Sequence, residues 1–350
     1  MERTLEKCRH RRTRICDLGM LRVVKGQNLN GSLPKEFAGL PLLQEIDLSR
    51  NFLNGSIPPE WGALPLKKLS LLGNRITGPI PKEIGNITSL SILALEFNQI
   101  SGKLPPDLGN LSNIDRMLLS SNYLTGDIPS TFSKLTTLTD FRISDNQFTG
   151  TIPDLIQNWT ELGKLVIQAS GLAGPIPSTI GSLTKLTDLI LRNCNLTGEL
   201  PPYLGQMNKL KLIDLSFNKL SGPIPVAYSP LDNVDNIYFT SNMLSREVPD
   251  WMVDKGDKID LTYNDFTNDL RTAECQKNAV NMFSSTSPLV ANNHSNVSCL
   301  SSYKCPKTFY GRERFALEAS LSDMETKEAA TAKMSSSYRC FSGTVDVFSS

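Results

Sequence analysis

Between residues 21 and 268 the apolar side chains return in a pattern about 24 residues long. Leu138 to Pro153 shows one unit: LTDFRISDNQFTGTIP, or L-x-x-F-x-I-x-x-N-x-F-x-G-x-I-P. Phe141 and Ile143 alternate with Asp140, Arg142 and Ser144, the two-residue period of a short strand with one buried and one wet face. The apolar pair recurs as Ile46/Leu48, Leu69/Leu71, Leu93/Leu95, Met117/Leu119, Leu165/Ile167, Leu189/Leu191, Ile213/Leu215, Ile237/Phe239 and Ile259/Leu261. Pro34, Pro58, Pro81, Pro105, Pro129, Pro153, Pro177, Pro201, Pro225 and Pro249 keep the same beat, 24 residues apart except for one gap of 23. Such self-similarity predicts stacked coils that bury their apolar faces only against one another. Segments after each Pro, such as 82–87 and 178–183, are expected to form one short helical turn on the convex side.

Three residues beyond each strand stands Asn51, Asn74, Asn98, Asn122, Asn146, Asn218, Asn242 or Asn264. A buried carboxamide at a turn must satisfy both donors and an acceptor, so a ladder of side-chain to backbone bonds is expected. Ser170 and Cys194 replace Asn at two rungs. Next comes L-x-G-x-I/L-P, whose Gly permits backbone conformations closed to other residues. Arg246 breaks that rule in the tenth unit, and the eleventh has neither Gly nor Pro, so the array ends near Asn268. The consensus L-x-x-L-x-L-x-x-N-x-L is that of leucine-rich repeats. The expected fold is an α/β repeat solenoid, a horseshoe or superhelix, whose L-x-G-x-I-P unit resembles the plant type of leucine-rich repeat. It has about 10–11 repeats of 24 residues, with a parallel sheet on the concave face.

Four segments are expected: a degraded N-terminal cap over 1–20, the solenoid over 21–268, a cysteine-bearing cap or linker over 269–310, and a tail over 311–350 that is disordered or weakly helical. The 36 basic and 35 acidic residues leave a net charge of +1, without the concentrated basic footprint that nucleic acid requires. No apolar run approaches the length of a membrane span, and the first 25 residues lack the apolar core of a signal peptide, so the chain taken alone reads as soluble. The cysteines point elsewhere. Cys8 and Cys16 precede the array and Cys275, Cys299 and Cys305 follow it, positions that suit stapled end caps in an oxidising compartment. Eight N-x-S/T sequons at Asn30, Asn54, Asn86, Asn110, Asn158, Asn195, Asn293 and Asn296 are candidate glycosylation sites. Asn86, Asn110 and Asn158 hold the same repeat position and would present glycans in a column.

The stretches Gly26–Pro34, Leu43–Asn51, Ile57–Gly62, Leu95–Gln99 and Val280–Phe283, with Cys299 and Cys305–Tyr310, resemble the extracellular part of plant leucine-rich-repeat receptor-like kinases, in the subfamily with a malectin-like domain after the repeats. The resemblance covers about residues 21–310. It implies a recognition module on the extracellular side of the plasma membrane, with a peptide or protein ligand and a co-receptor as partners. Members of that family continue into a malectin-like domain, one membrane span and a cytoplasmic Ser/Thr kinase. Residues 311–350 do not resemble that continuation, so the chain reads as a truncated form. The alternative is a stand-alone secreted or intracellular scaffold or inhibitor without a kinase.

Catalysis finds no support: there are two His, no metal-ligand spacing, and no P-loop or kinase motif. No cofactor is expected, and Asp47, Asp214 and Asp260 read as solvated surface carboxylates. Binding remains. The strand positions between the apolar pairs form a column: Asp47, Ser70, Ala94, Leu118, Arg142, Val166, Ile190, Asp214, Tyr238 and Asp260. Five of the ten are apolar, unusual for positions facing water. The preceding column adds Ile92 and Leu212 beside Arg116 and Lys164. An apolar strip edged by cations, made of Ile92, Ala94, Arg116, Leu118, Arg142, Lys164, Val166, Ile190, Leu212 and Tyr238, suits an extended peptide or a partner with an acidic group.

Overall fold

The computed structural model describes residues 24–253 and 258–267. The expected caps, the tail, Asn293, Asn296 and every cysteine except Cys194 lie outside the described residues. Ten three-residue or two-residue strands form one parallel sheet in strict chain order, from Glu45–Asp47 through Asp140–Arg142 to Ile259–Asp260. The repeat length is the register: Asp140 pairs with Lys164 and with Arg116, 24 residues to either side. The shorter second unit pairs Glu45 with Lys68, and the shortened tenth pairs Ile237 with Ile259. No helix among the described residues is long and apolar enough to cross a membrane.

Each repeat Pro stands in extended conformation just before a helical segment, as Pro81 does at φ −65° before Lys82–Asn86. These segments are 3-10 helices, with one α-helical turn at Asp250–Val253. The core runs unbroken between helices and sheet, with Trp61, Phe132, Phe141, Trp159 and Tyr228 fully buried. Its polar tips are satisfied by the preceding coil: Trp61 Nε1 donates to the Pro34 carbonyl at 3.0 Å, Trp159 Nε1 to Phe132 at 2.8 Å, and Tyr228 Oη to Pro201 at 3.1 Å.

The ladder asparagines are buried, and each ties its own coil to the preceding one. Asn146 Nδ2 donates to Leu119 O in the previous coil at 3.1 Å, and to Ile143 O and Ser144 O in its own. Its Oδ1 accepts the Leu124 amide at 3.0 Å. Asn98, Asn122, Asn218, Asn242 and Asn264 repeat this arrangement, and Asn51 and Asn74 open it. At the two substituted rungs the pattern weakens. Cys194 Sγ still donates to Ile167 O at 2.7 Å, but the Leu172 amide reaches only Ser170 Oγ at 3.4 Å.

The sequence pointed to one sheet; the structure has more. The L-x-G segments that follow the ladder also pair in parallel. They form a four-stranded sheet ending at Gln147–Phe148 and a five-stranded one beginning at Gly174–Pro175, besides a two-stranded pair at the start. Of the two interruptions, the second falls at the Ser170 coil, where a single bridge joins Thr151 to Ala173.

On the helical side, glycine sets how closely coils approach. A Cβ added at Gly109 would stand 2.4 Å from the Thr131 carbonyl oxygen, and one at Gly39 would meet nothing within 4 Å. Replacing Gly109 by Ala is therefore expected to destabilise by about 1–3 kcal/mol, as overpacking does, with Gly39→Ala near neutral; urea unfolding of both variants checks this. Asn146→Ala removes one donor pair and one acceptor from buried backbone partners. It is expected to lower unfolding free energy by about 1–3 kcal/mol, and an unchanged denaturation midpoint would exclude the ladder as a source of stability.

Candidate functional site

Successive strands of the ten-stranded sheet bring the candidate residues into rows. Arg142 has Leu118 on one side and Val166 on the other, and Asp140 stands between Arg116 and Lys164. With strands spaced by about 4.8 Å, Leu118 and Val166 are roughly 10 Å apart across Arg142. These positions point away from the core because Met117, Phe141 and Leu165, their chain neighbours, point into it.

Exposure along the strip is uneven. Ile92, Leu118, Arg142, Lys164, Val166 and Tyr238 are half-exposed, and Arg116 is exposed. Ala94, Ile190 and Leu212 are not open: they retain 6%, 7% and 3% of their surface. On the neighbouring strands Val166 and Asp214 flank Ile190, and Asp188 and Asn236 flank Leu212. The accessible apolar strip is thus shorter than the column of apolar residues, and its middle is Leu118 and Val166.

The cations of the strip are not free. Arg142 lies back along its own strand onto Asp140, with Nε to Oδ1 at 2.8 Å and Nη2 to Oδ2 at 2.9 Å. Arg116 approaches the same carboxylate at 3.8 Å, and Lys164 reaches Asp188 at 3.4 Å. Three cations and two carboxylates leave one net positive charge here. Arg116 and Lys164 side chains are 48% and 45% exposed, so their charged ends remain within reach of a partner.

The carboxylates expected to be solvated surface charges are more enclosed than that. Asp47 and Asp214 are buried and Asp260 is half-buried. A hydroxyl-bearing residue two positions on folds the chain over each of them. Asp47 Oδ1 accepts from the Ser49 amide and hydroxyl at 3.1 and 2.6 Å, Asp214 Oδ1 from the Ser216 amide at 3.0 Å, and Asp260 Oδ1 from both groups of Thr262. Their charges then diverge. Burial alone would raise Asp47, but hydrogen bonds from Ser49 and Lys68 prevail and hold it below the ordinary carboxylate value. At Asp214 burial prevails and pushes the carboxyl up, with Arg192 only partly opposing it.

A second set of exposed groups escaped the reading of strand columns. Phe97, Phe217 and Tyr263 directly precede ladder asparagines, and Tyr123 and Met243 directly follow them. Arg192 lies over the Phe217 ring at 4.7 Å. Together they line the edge of the sheet where each strand turns into its Asn. The signal was available in the residues flanking each Asn.

Residues 42–64, 65–87, 89–111, 113–135, 137–159, 185–207 and 209–231 match the Leucine Rich Repeat family. The array is a leucine-rich-repeat solenoid. The segment passed over, 160–184, holds the Ser170 rung. A relative from Arabidopsis thaliana, named as a leucine-rich repeat receptor-like serine/threonine-protein kinase, is 72% identical over 65 residues, which are 19% of this chain and 6% of that protein. Among solved structures, the plant peptide hormone receptor RGFR1 in complex with RGF2 superposes with a TM-score of 0.62 and 30% identity, over 70% of this chain and 44% of the receptor. A plant ice-binding protein superposes with a TM-score of 0.54 and 29% identity, over 63% of this chain and 71% of its own. The solenoid is thus similar to plant receptor ectodomains.

The two buried carboxylates give a test of the face. Asp214 has a raised folded value, so its ionisation opposes folding once pH climbs above the unfolded value of about 3.9. Asp214→Asn is expected to raise the melting temperature at pH 7 by a few degrees, and the gain should shrink as pH falls toward 4. Asp47 has the opposite sign: its stabilisation is present above the unfolded value and lost as pH falls through the folded one, so Asp47→Asn is expected to destabilise at pH 7. Melting curves of both variants at pH 4 and 7 check the signs.

Proposed function

We propose that this chain is the recognition module of a plant receptor-like kinase, acting on the extracellular side of the plasma membrane, and that it captures a peptide or protein partner on the open face of its ten-stranded sheet. The observation that carries this reading is the half-exposed pair Leu118 and Val166 on either side of Arg142, with exposed Arg116 and half-exposed Lys164 beside them. Strands of neighbouring coils present these groups in a straight row, which an extended segment can follow. Its complement is a chain with small apolar side chains at the centre and an acidic group for Arg116 or Lys164. The complex of RGFR1 with RGF2, on a solenoid of the same kind, supports a peptide as the partner. The ice-binding relative of similar fold shows why the side chains of the face, and not the fold, must carry the assignment.

A co-receptor belongs to the same proposal, as do the end caps, the tail at 311–350 and membership of the malectin-like subfamily, which rests on the residues around 280–310. The proposal is of binding alone, without catalysis.

Binding of extended peptides selected from a displayed library, measured by titration calorimetry, tests the reading. Peptides that bind should be enriched in Asp and Glu, and Leu118→Glu with Val166→Glu should weaken them at least about 100-fold, the scale of an interface hot spot lost. Undiminished binding by that double variant would place recognition on another surface.

A further inference from the structure

Two groups of asparagines among the described residues differ sharply in environment. Ladder asparagines are buried and spend their carboxamides on backbone groups. None of them starts an N-x-S/T sequence, because the residue two places on is a core position such as Leu53, Leu124 or Phe148. Asn86, Asn110 and Asn158 are the opposite case. Each is the last residue of its 3-10 helix, Lys82–Asn86, Pro106–Asn110 and Asp154–Asn158, and each is exposed. Their carboxamides make no hydrogen bond with other described residues.

The chain then runs out, in and out again. The residues that follow, Ile87, Leu111 and Trp159, retain at most 2% of their surface and anchor the turn in the core. Thr88, Ser112 and Thr160, which complete the three sequons, return to the surface. The side chain that would bear a sugar and the hydroxyl that marks it are therefore both outside, fastened on either side of a core residue. A group attached to the Asn nitrogen displaces nothing from the interior and breaks no hydrogen bond of the fold.

We propose that Asn86, Asn110 and Asn158 carry N-linked glycans, aligned on the helical flank of the third, fourth and sixth coils. The column arises from the repeat itself: one position per coil is exposed, uncommitted and followed by an anchored residue. The other coils fill it with Lys134, Ser182 or Gln206. Two glycans stand on consecutive coils and a third beyond the Lys134 coil, so this flank is covered by carbohydrate and closed to a protein partner. The proposal concerns the helical flank and is independent of what binds the sheet.

The full chain, sent through the secretory pathway of plant cells behind a cleavable leader, provides the test. The secreted protein is treated with peptide-N-glycosidase in heavy-oxygen water, which marks each occupied Asn as labelled Asp, and its peptides are read by mass spectrometry. Label is expected at Asn86, Asn110 and Asn158. Each single Asn→Gln variant should lose one glycan step in electrophoretic mobility and the triple variant three, with the circular dichroism spectrum unchanged. Secreted chain with these three asparagines unlabelled would overturn the proposal. So would a triple variant whose mobility equals that of the unsubstituted chain. A peptide that fails to bind the sheet face leaves these readouts untouched, so the two proposals fail separately.

Discussion

One carboxamide per coil holds this solenoid in register. The turn after each strand places a residue in the left-handed region just before the ladder position: Arg50, Phe97, Ser121, Asp145, Ala169, Asn193, Phe217, Ser241 and Tyr263, at φ from 46° to 58°. Gly26 and Gly73 hold the same position in the first and third coils. Left-handed backbone costs a side-chain-bearing residue roughly 1–2 kcal/mol. The conformation persists because the surroundings over-determine it. The Asn donates both into its own turn and into the previous coil, and its oxygen receives an amide from that coil. Strain within one coil is thereby offset by bonds between coils, so the turn geometry is a property of the stack and not of a single unit.

The same dependence explains where the array loosens. Ser170 is too short to reach the carbonyls that an Asn would serve, and the Phe148 amide, which an Asn oxygen would receive, turns to the Ser170 backbone carbonyl at 2.7 Å instead. Gly171 meets the consequence: its backbone comes so near Phe148 O that any Cβ there would stand 2.3 Å away. The second sheet divides at this coil, and the ten-stranded sheet continues through it without a break, with Lys164–Val166 paired on both sides. Backbone pairing within the main sheet does not need the carboxamide.

How much of this was legible in the residues depended on whether a feature repeats. Strands, the 3-10 turns after Pro and the Asn ladder recur in almost every unit and could be read directly from spacing. Arg246 stands where nine earlier units have glycine and adopts the same left-handed conformation, φ 66°, so the repeat position dictates the backbone even where the residue opposes it. What could not be read were contacts between neighbouring coils. The columns named Ile190 and Leu212 as face residues, but only their lateral neighbours decide that they are covered. Likewise Asp47 and Asp214 share a motif with a hydroxyl two residues on. Lys68 on the next strand gives the first a firm cation, and the second has only the more distant attraction of Arg192.

Those lateral pairings also shape what the face could select. On the proposed reading, a partner laid across Leu118 and Val166 removes apolar surface from water, and that gain is non-directional. Charge supplies direction. Arg142 has both of its contacting nitrogens engaged by Asp140, a carboxylate whose side chain is only 4% exposed, so breaking that pair would strand a buried charge. A ligand carboxylate gains more at Arg116, held at 3.8 Å, or at Lys164, held by a single contact at 3.4 Å, because neither must abandon a close fork to turn outward. These two cations are two coils apart with Leu118 and Val166 beside them. An acidic residue at one end of a short apolar stretch therefore fits with one polarity at Arg116 and with the reverse polarity at Lys164. The Asp188 carboxylate beside Lys164 repels a ligand anion, and Arg116 shares its carboxylate with Arg142. Anchoring at Arg116 is the arrangement that charge favours, which fixes the direction in which an extended partner would cross the coils.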